Sequence, residues 1–374
     1  MKNLSLLILV LSFLAACTTK EPKPETLKEA FDGIFHIGTA LNTLQVNGVD
    51  PKADSLVKKQ FSSIVAENCM KSMSIQPEKG VFTFDDADQF VAYGEESGMH
   101  IVGHTLIWHS QAPRWFFSDD EGNDVTPEEL TRRMREHIFT LVGRYKGRVH
   151  GWDVVNEAVL DDGEYRDSKF YQILGEDFIR LAFEFAHEAD PDAELYYNDY
   201  SMNKAGKREG VVKMVKKLQE QGVKIDGIGM QGHYSLNDPT IDEVEASIVA
   251  FAALGVNVMI TELDITVLPW PGQFTSAEVS LSFEFQNEFN PYADGLPEEV
   301  DAALNQRFVD LFDLFIKHKE SISRVTFWGV TDAQSWKNNW PVRGRTDYPL
   351  LFDREYQPKP AVAKIIEAAV KAKV

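Results

Sequence analysis

Two stretches of this chain join an apolar run to a terminal carboxylate. Trp152-Asp153-Val154-Val155-Asn156-Glu157-Ala158 reads as a buried strand that ends in an amide and an acid. Val256-Asn257-Val258-Met259-Ile260-Thr261-Glu262-Leu263-Asp264 ends in the same manner. Parallel strands deliver their last side chains to one end of a sheet. A glutamate from each would set two carboxyl groups about a common point. Glycoside hydrolysis needs that pair: one carboxyl protonates the leaving oxygen, and the other attacks the sugar or activates water.

Such a meeting requires parallel elements closed around one axis, and the chain supplies them. Runs rich in Val, Ile and Leu recur near Phe35–Ala40, Ser63–Asn68, His100–His109, Val149–Glu157, Glu194–Tyr200, Ile225–Tyr234, Val256–Asp264 and Arg324–Asp332. These eight strands alternate little, the pattern of a parallel sheet covered on both faces. Helical segments fill the gaps. The clearest opens at Thr126-Pro127-Glu128-Glu129, with an N-cap threonine, proline at the first helical position and glutamate placed for a capping box. Leu130, Met134, Ile138, Leu141 and Val142 then mark one face at helical spacing. Other helices are expected near Lys52–Gln60, Asp86–Ser97, Phe178–Ala186, Ala205–Gln221, Ile241–Leu254, Glu298–Lys319 and Pro360–Val374. Eight β/α units without a clear linker predict the α/β class and a single (β/α)8 barrel over residues 30–374. A long loop, residues 268–297, follows strand seven and carries Trp270, Phe274, Phe283, Phe285, Phe289 and Tyr292. It is a lid, a shelf for substrate or an insertion packed on the outside.

Placed on that barrel, the polar residues gather at one end. Strand two ends in Glu67-Asn68, with Lys71 beyond; strand three brings His104, Trp108, His109 and Gln111. Asn156 and Glu157 close strand four, and Asn198-Asp199-Tyr200 close strand five. Gln231 and His233 come from strand six, Glu262 and Asp264 from strand seven, and Trp328 from strand eight with Trp336 and Trp340 after it. In such barrels the C-terminal face carries the site. Singly, each residue has a plainer reading: Glu67 as a helix cap, His104 as a satisfied core histidine, Lys71 as a solvated cation, Trp328 as a core plug. Their common location favours the functional one. His104, His109 and His233 among carboxylates also raise metal-dependent hydrolysis. Zinc sites gather three or four ligands in tight geometry, and the chain has no His-x-His or His-Glu-x-x-His pattern. No metal and no cofactor are expected.

The chain resembles glycoside hydrolase family 10, whose members are mostly endo-β-1,4-xylanases. The matching stretches are Glu67-Asn68-Cys69-Met70-Lys71, Gly103-His104-Thr105-Leu106-Ile107-Trp108-His109-Ser110-Gln111, Trp152 to Ala158, Gln231-Gly232-His233, Thr261-Glu262-Leu263-Asp264 and Phe327-Trp328-Gly329-Val330-Thr331-Asp332. One departure stands behind Lys71: many members have a tryptophan where this chain has Ser72-Met73. The resemblance implies endo-hydrolysis of xylan with retention, Glu157 as acid/base and Glu262 as nucleophile. Retention corresponds to carboxyl groups roughly 5–5.5 Å apart. It further implies that His233, steadied by Asp264, supports Glu262, and that Asn156 bonds the sugar 2-hydroxyl. Glu67, Asn68, Lys71, His104 and Gln111 would hold the non-reducing-side sugars. Tyr200 and Gln231 would also touch substrate, and Trp108, Trp328 and Trp336 would shape the pocket.

Net charge is −20 at pH 7, from 58 acidic and 38 basic residues. That disfavours nucleic acid as a partner and is compatible with a neutral polymer such as xylan or its oligosaccharides. Lys2 and the apolar run Leu4 to Ala16 read as a secretory signal over residues 1–16. The run is short of the ~20 residues a membrane span needs. Leu14-Ala15-Ala16-Cys17 resembles a bacterial lipobox, which implies cleavage before Cys17 and a lipid on its thiol. Residues 17–29, with Pro22 and Pro24, would form a tether. The expectation is an exported monomer, anchored to a bacterial membrane only through that lipid, at the periplasmic face or cell surface. Cys69 is the one other cysteine, so no disulfide is expected.

Overall fold

Hydrophobic strands that alternate side chains between two faces must bury both, and closing the sheet on itself does so. In this computed structural model, which describes residues 24–270 and 288–373, the strands close. Parallel ladders run from β1 (His36–Leu41) through β2 (Ser63–Ala66), β3 (His100–Trp108), β4 (Gly151–Asn156) and β5 (Glu194–Asp199) to β6 (Gly227–Met230). β6 pairs with β8 (Asn257–Thr266), β8 with β9 (Ile322–Phe327), and β9 with β1. The result is an eight-stranded parallel barrel. Ile37, Ile64, Ile101, Leu195, Ile228, Ile260 and Val325 face outward into the layer shared with the helices. Ala40, Val65, Val102, Tyr196, Met259 and Trp328 fill the interior.

One strand departs from expectation. The run Ile225–Tyr234 is not continuous: β6 stops at Met230, and a separate strand β7 (His233–Ser235) resumes beyond Gln231-Gly232. Gly232 lies at φ +84°, where a side chain would be strained, and an added Cβ would meet Ile260 at 2.9 Å. The break lets β7 pair with the outer end of β8, opposing His233 to Asp264. The strand ends also fall short of the sequence reading. Asn68, Glu157 and Tyr200 stand in bends just past β2, β4 and β5, and Asp332 opens a short 3-10 helix beyond β9.

The helices fall close to their expected spans. Thr126 caps Pro127–Arg144 by accepting from the Glu129 N–H. The expected capping box does not form, because Arg132 and Arg133 take the Glu129 carboxylate at 2.8 and 2.6 Å. Gly103 on β3 admits the Trp152 ring: a Cβ there would lie 2.1 Å from it, inside fully buried packing. Gly103→Ala is therefore expected to cost about 1–3 kcal/mol by overpacking. The check is a lower denaturant midpoint at an unchanged slope.

Residues 1–16, Cys17, Phe274, Phe283 and Phe285 lie outside the described residues. Of the 268–297 loop, Phe289 is buried and Asn290 accepts from the Thr346 N–H at 2.8 Å, so this end packs back on the barrel.

Candidate active site

Glu157 leaves β4 at φ +60°, an uncommon and strained conformation for a residue with a side chain. The surroundings over-determine it. Its N–H donates to the Asn198 carbonyl at 2.9 Å, and its own carbonyl accepts from Arg166 Nε at 2.8 Å. Arg166 also donates to the Tyr200 hydroxyl at 2.7 Å. The next two N–H groups, of Ala158 and Val159, both donate to the Tyr197 hydroxyl, at 3.0 and 3.1 Å. That hydroxyl donates in turn to Asp199, which is paired with Lys207 at 2.9 Å. Tyr197, Asp199 and Lys207 are fully buried. Burial pushes the Asp199 carboxyl up to about 6, against the pull of Lys207 and Tyr197.

The turn directs the Glu157 carboxylate into the mouth. Oε2 accepts from Trp108 Nε1 at 3.0 Å; Oε1 accepts from Asn156 Nδ2 at 3.2 Å and Gln231 Nε2 at 3.1 Å. Glu262, near the middle of β8, is buried. Its Oε1 accepts from Asn198 Nδ2 at 2.9 Å, and its Oε2 lies 3.2 Å from His233 Nε2. Asn198 also donates to Asn156 Oδ1 at 3.0 Å and accepts from Thr261 at 2.6 Å. Two asparagines thus bridge the two glutamates across one cavity end.

Burial alone would raise the Glu262 carboxyl. The His233 hydrogen bond, the pull of His104 and His233, and the Asn198 bond together hold it below the usual carboxylate range. His233 is set by the opposite contest. Burial disfavours its charge, but Asp264 at 2.9 Å and Glu262 raise it to about 9. Asp264, also opposed by burial, is held low by His233, Lys337 and the Trp336 N–H, which it accepts at 2.8 Å. At neutral pH His233 is a cation that donates from both nitrogens. Its folded value lies above the ordinary one near 6.5. Its stabilising contribution is therefore complete below about pH 6.5 and lost as pH rises through about 9. His233→Asn is expected to cost roughly 2 kcal/mol more at pH 6 than at pH 9.5, read by denaturant unfolding at both.

A second polar row flanks the pair. Asn68 donates to Glu67 at 3.2 Å, Lys71 Nζ donates to Asn68 Oδ1 at 2.9 Å, and that ammonium stands 5.0 Å from the Trp108 ring centre. Burial lowers the Lys71 ammonium, opposed by Glu262, Glu67 and Glu157. Burial likewise raises Glu67, opposed by Lys71 and Asn68. Behind Lys71, buried Ser72 donates to the Leu106 carbonyl at 3.1 Å and Met73 faces solvent. His104 is buried against Asp153 at 2.9 Å, edge-on to Trp328 with ring centres 5.3 Å apart. Trp336 lies 5.0 Å from the His233 ring and stacks on Trp340, which meets Trp270. Gln111 stands apart: it is exposed at φ +50°, and only its carbonyl is engaged, by the Met73 N–H.

The structure adds residues to which the sequence reading gave no task. Asn198 showed only as a polar strand end. Arg166, Tyr197 and Lys207 carried no signal, because a tyrosine in an apolar run or a lysine on an amphipathic helix is ordinary. Among the described residues, no three or more His, Cys, Asp or Glu side chains are grouped as metal ligands.

The sequence profile of Glycosyl hydrolase family 10 matches residues 26–368. The chain is 49% identical over 367 residues to endo-1,4-beta-xylanase A of Xylanibacter ruminicola, covering 98% of this chain and 99% of that protein. It is 42% identical to an endo-1,4-beta-xylanase of Geobacillus stearothermophilus, covering 91% and 98%. Among solved structures, a GH10 endoxylanase retrieved from a sugarcane soil metagenome is 43% identical. It superposes with TM-score 0.87 over 92% of this chain and 99% of that one. A profile match across nearly the whole barrel, with relatives aligned end to end, establishes that the chain belongs to glycosyl hydrolase family 10.

Proposed function

We propose that this protein cleaves internal β-1,4 linkages of xylan with retention, Glu262 attacking and Glu157 serving as acid and then base. The observation that carries the reading is the bridge from Glu157 through Asn156 and Asn198 to Glu262, with only Glu262 resting on a cationic imidazole. The xylanase names of relatives aligned over their whole lengths support the substrate.

In the first step a Glu262 oxygen bonds to the anomeric carbon as the glycosidic bond breaks. The leaving oxygen takes the Glu157 proton. The ester so formed carries no charge, so nothing opposes a carboxylate at Glu157. In the second step that carboxylate takes a proton from water, the water oxygen bonds to the anomeric carbon, and Glu262 departs as carboxylate. Asn156 presents an amide to the sugar 2-hydroxyl, a bond that strengthens as charge develops on the ring. Glu67, Asn68, Lys71 and His104 hold the sugars on the non-reducing side; Trp108, Trp328 and Trp336 supply ring faces.

The nucleophile must be ionised, so activity on xylan falls as pH drops through the lowered Glu262 value. His233→Asn removes a donor to that carboxylate and is expected to move the acid limb of kcat/KM to higher pH. The function itself is tested by product analysis on xylan, carboxymethyl-cellulose and mixed-linkage glucan. Short xylo-oligosaccharides from mid-chain cuts, released first as the β-anomer, are expected. Absence of reducing-sugar release from xylan, or first products of inverted configuration, would falsify the reading.

We further propose export and lipid anchoring at Cys17, supported by the Leu14-Ala15-Ala16-Cys17 pattern after an apolar run. Cys17→Ser should move the protein from the membrane fraction to the soluble one; unchanged partition would remove the anchor.

A further inference from the structure

The opposite end of the barrel holds a cavity of about 430 Å³. Its walls come from the starts of the strands: His36 opens β1, His100 opens β3, Glu194 opens β5, and Arg324 stands near the start of β9. Arg324 is only 4% exposed, yet its guanidinium makes no hydrogen bond or ion pair among the described residues. Its Nε and Nη1 are buried without acceptors, and its contact is the Tyr196 ring at 5.4 Å. The other buried cations find acceptors: Arg307 and Arg345 donate to backbone carbonyls, and two lysines have carboxylates. Lys207 has Asp199, and Lys359 has Asp332 at 2.8 Å. An arginine stays charged at any working pH, so a buried guanidinium that no protein acceptor meets is a place for an anion.

The neighbours point the same way. His36, His100 and His150 stack in a row, adjacent ring centres 4.7 Å apart. Burial and the Arg324 charge push the His100 imidazole down to about 2 and His36 below its ordinary value. His36 and His100 are therefore neutral, each with one N–H. The Arg324 charge is thus the one the floor leaves without a counter-charge. Lys28 adds a positive charge at the rim. Two carboxylates also line the cavity, Asp32 and Glu194. Neither is paired with Arg324 among the described residues, and the Tyr196 hydroxyl donates to Glu194.

We propose that this floor binds a small oxyanion, charge-paired to Arg324 with His36 and His100 as N–H donors. The site is remote from the glutamate mouth and independent of the reaction there. Inorganic phosphate is the probe, titrated into the purified full chain by calorimetry and followed by phosphorus NMR line broadening. Saturable binding is expected in the millimolar range, at least about tenfold weaker in Arg324→Gln, as loss of a charge-assisted contact implies. Equal binding by wild type and Arg324→Gln, or no saturable binding by wild type, overturns the proposal. If Arg324→Gln does not fold, His36→Leu at the exposed rim serves, since it removes the N–H donor: a several-fold loss is expected, and undiminished binding overturns the proposal.

Discussion

Glu262→Ala is expected to reduce xylan hydrolysis on the order of 10⁵-fold or more, the scale on which loss of a nucleophile acts in other covalent hydrolases. The fold should survive, because the change removes a buried charge along with its partner contacts rather than a packed ring. What it leaves is His233 and Asn198 facing a small void on one side of the anomeric carbon. Azide fits such a void and needs no general base. Added azide should therefore restore turnover of activated xylosides and release a product of inverted configuration. Retained activity on xylan without azide, or a rescued product with retained configuration, would refute Glu262 as the attacking group.

Glu157→Ala is expected to act selectively. Hydrolysis of xylan should fall by roughly 10²–10⁴-fold, the usual worth of general acid catalysis. Aryl xylosides with very good leaving groups should keep their first step, because an acidic phenol departs without a proton. Their second step should then limit the rate and show as a burst of phenol. The two variants therefore separate the two carboxylates by substrate as well as by size of effect. A uniform loss on both substrate types would mean that the change damages the mouth as a whole. Trp108, Asn156 and Gln231 all donate to Glu157. Glu157→Gln is the control, since it keeps the volume and one acceptor while discarding the transferable proton.

Much of the frame was legible because hydrophobic period reports directly on burial. The runs holding Val154-Val155 and Met259-Ile260 are buried on both faces, and their short length and β-branched content mark them as strands of a covered parallel sheet. The same logic misread β6. Period shows that Ile225–Tyr234 is apolar, but not that Gly232 breaks it, because an isolated glycine in a strand signals either a bulge or a close approach. The capping box at Glu129 was lost in a similar way. The local pattern was correct, yet two arginines one turn on offered the carboxylate a charge rather than an amide.

By itself the sequence determined that both glutamates arrive at the mouth, since strand direction and the position of Asn156 and Glu157 at the end of β4 follow from chain order and period, although β8 runs on past Glu262. Only the tertiary structure decided how those groups act on one another. The left-handed turn at Glu157 is held by Tyr197, Asp199, Lys207 and Arg166 from later elements. Glu262 rests on a histidine that reaches it through a broken strand. Hydrogen bonds and charge pairs across strands depend on register, closure and burial, and none of these is a property of residues near one another in the chain.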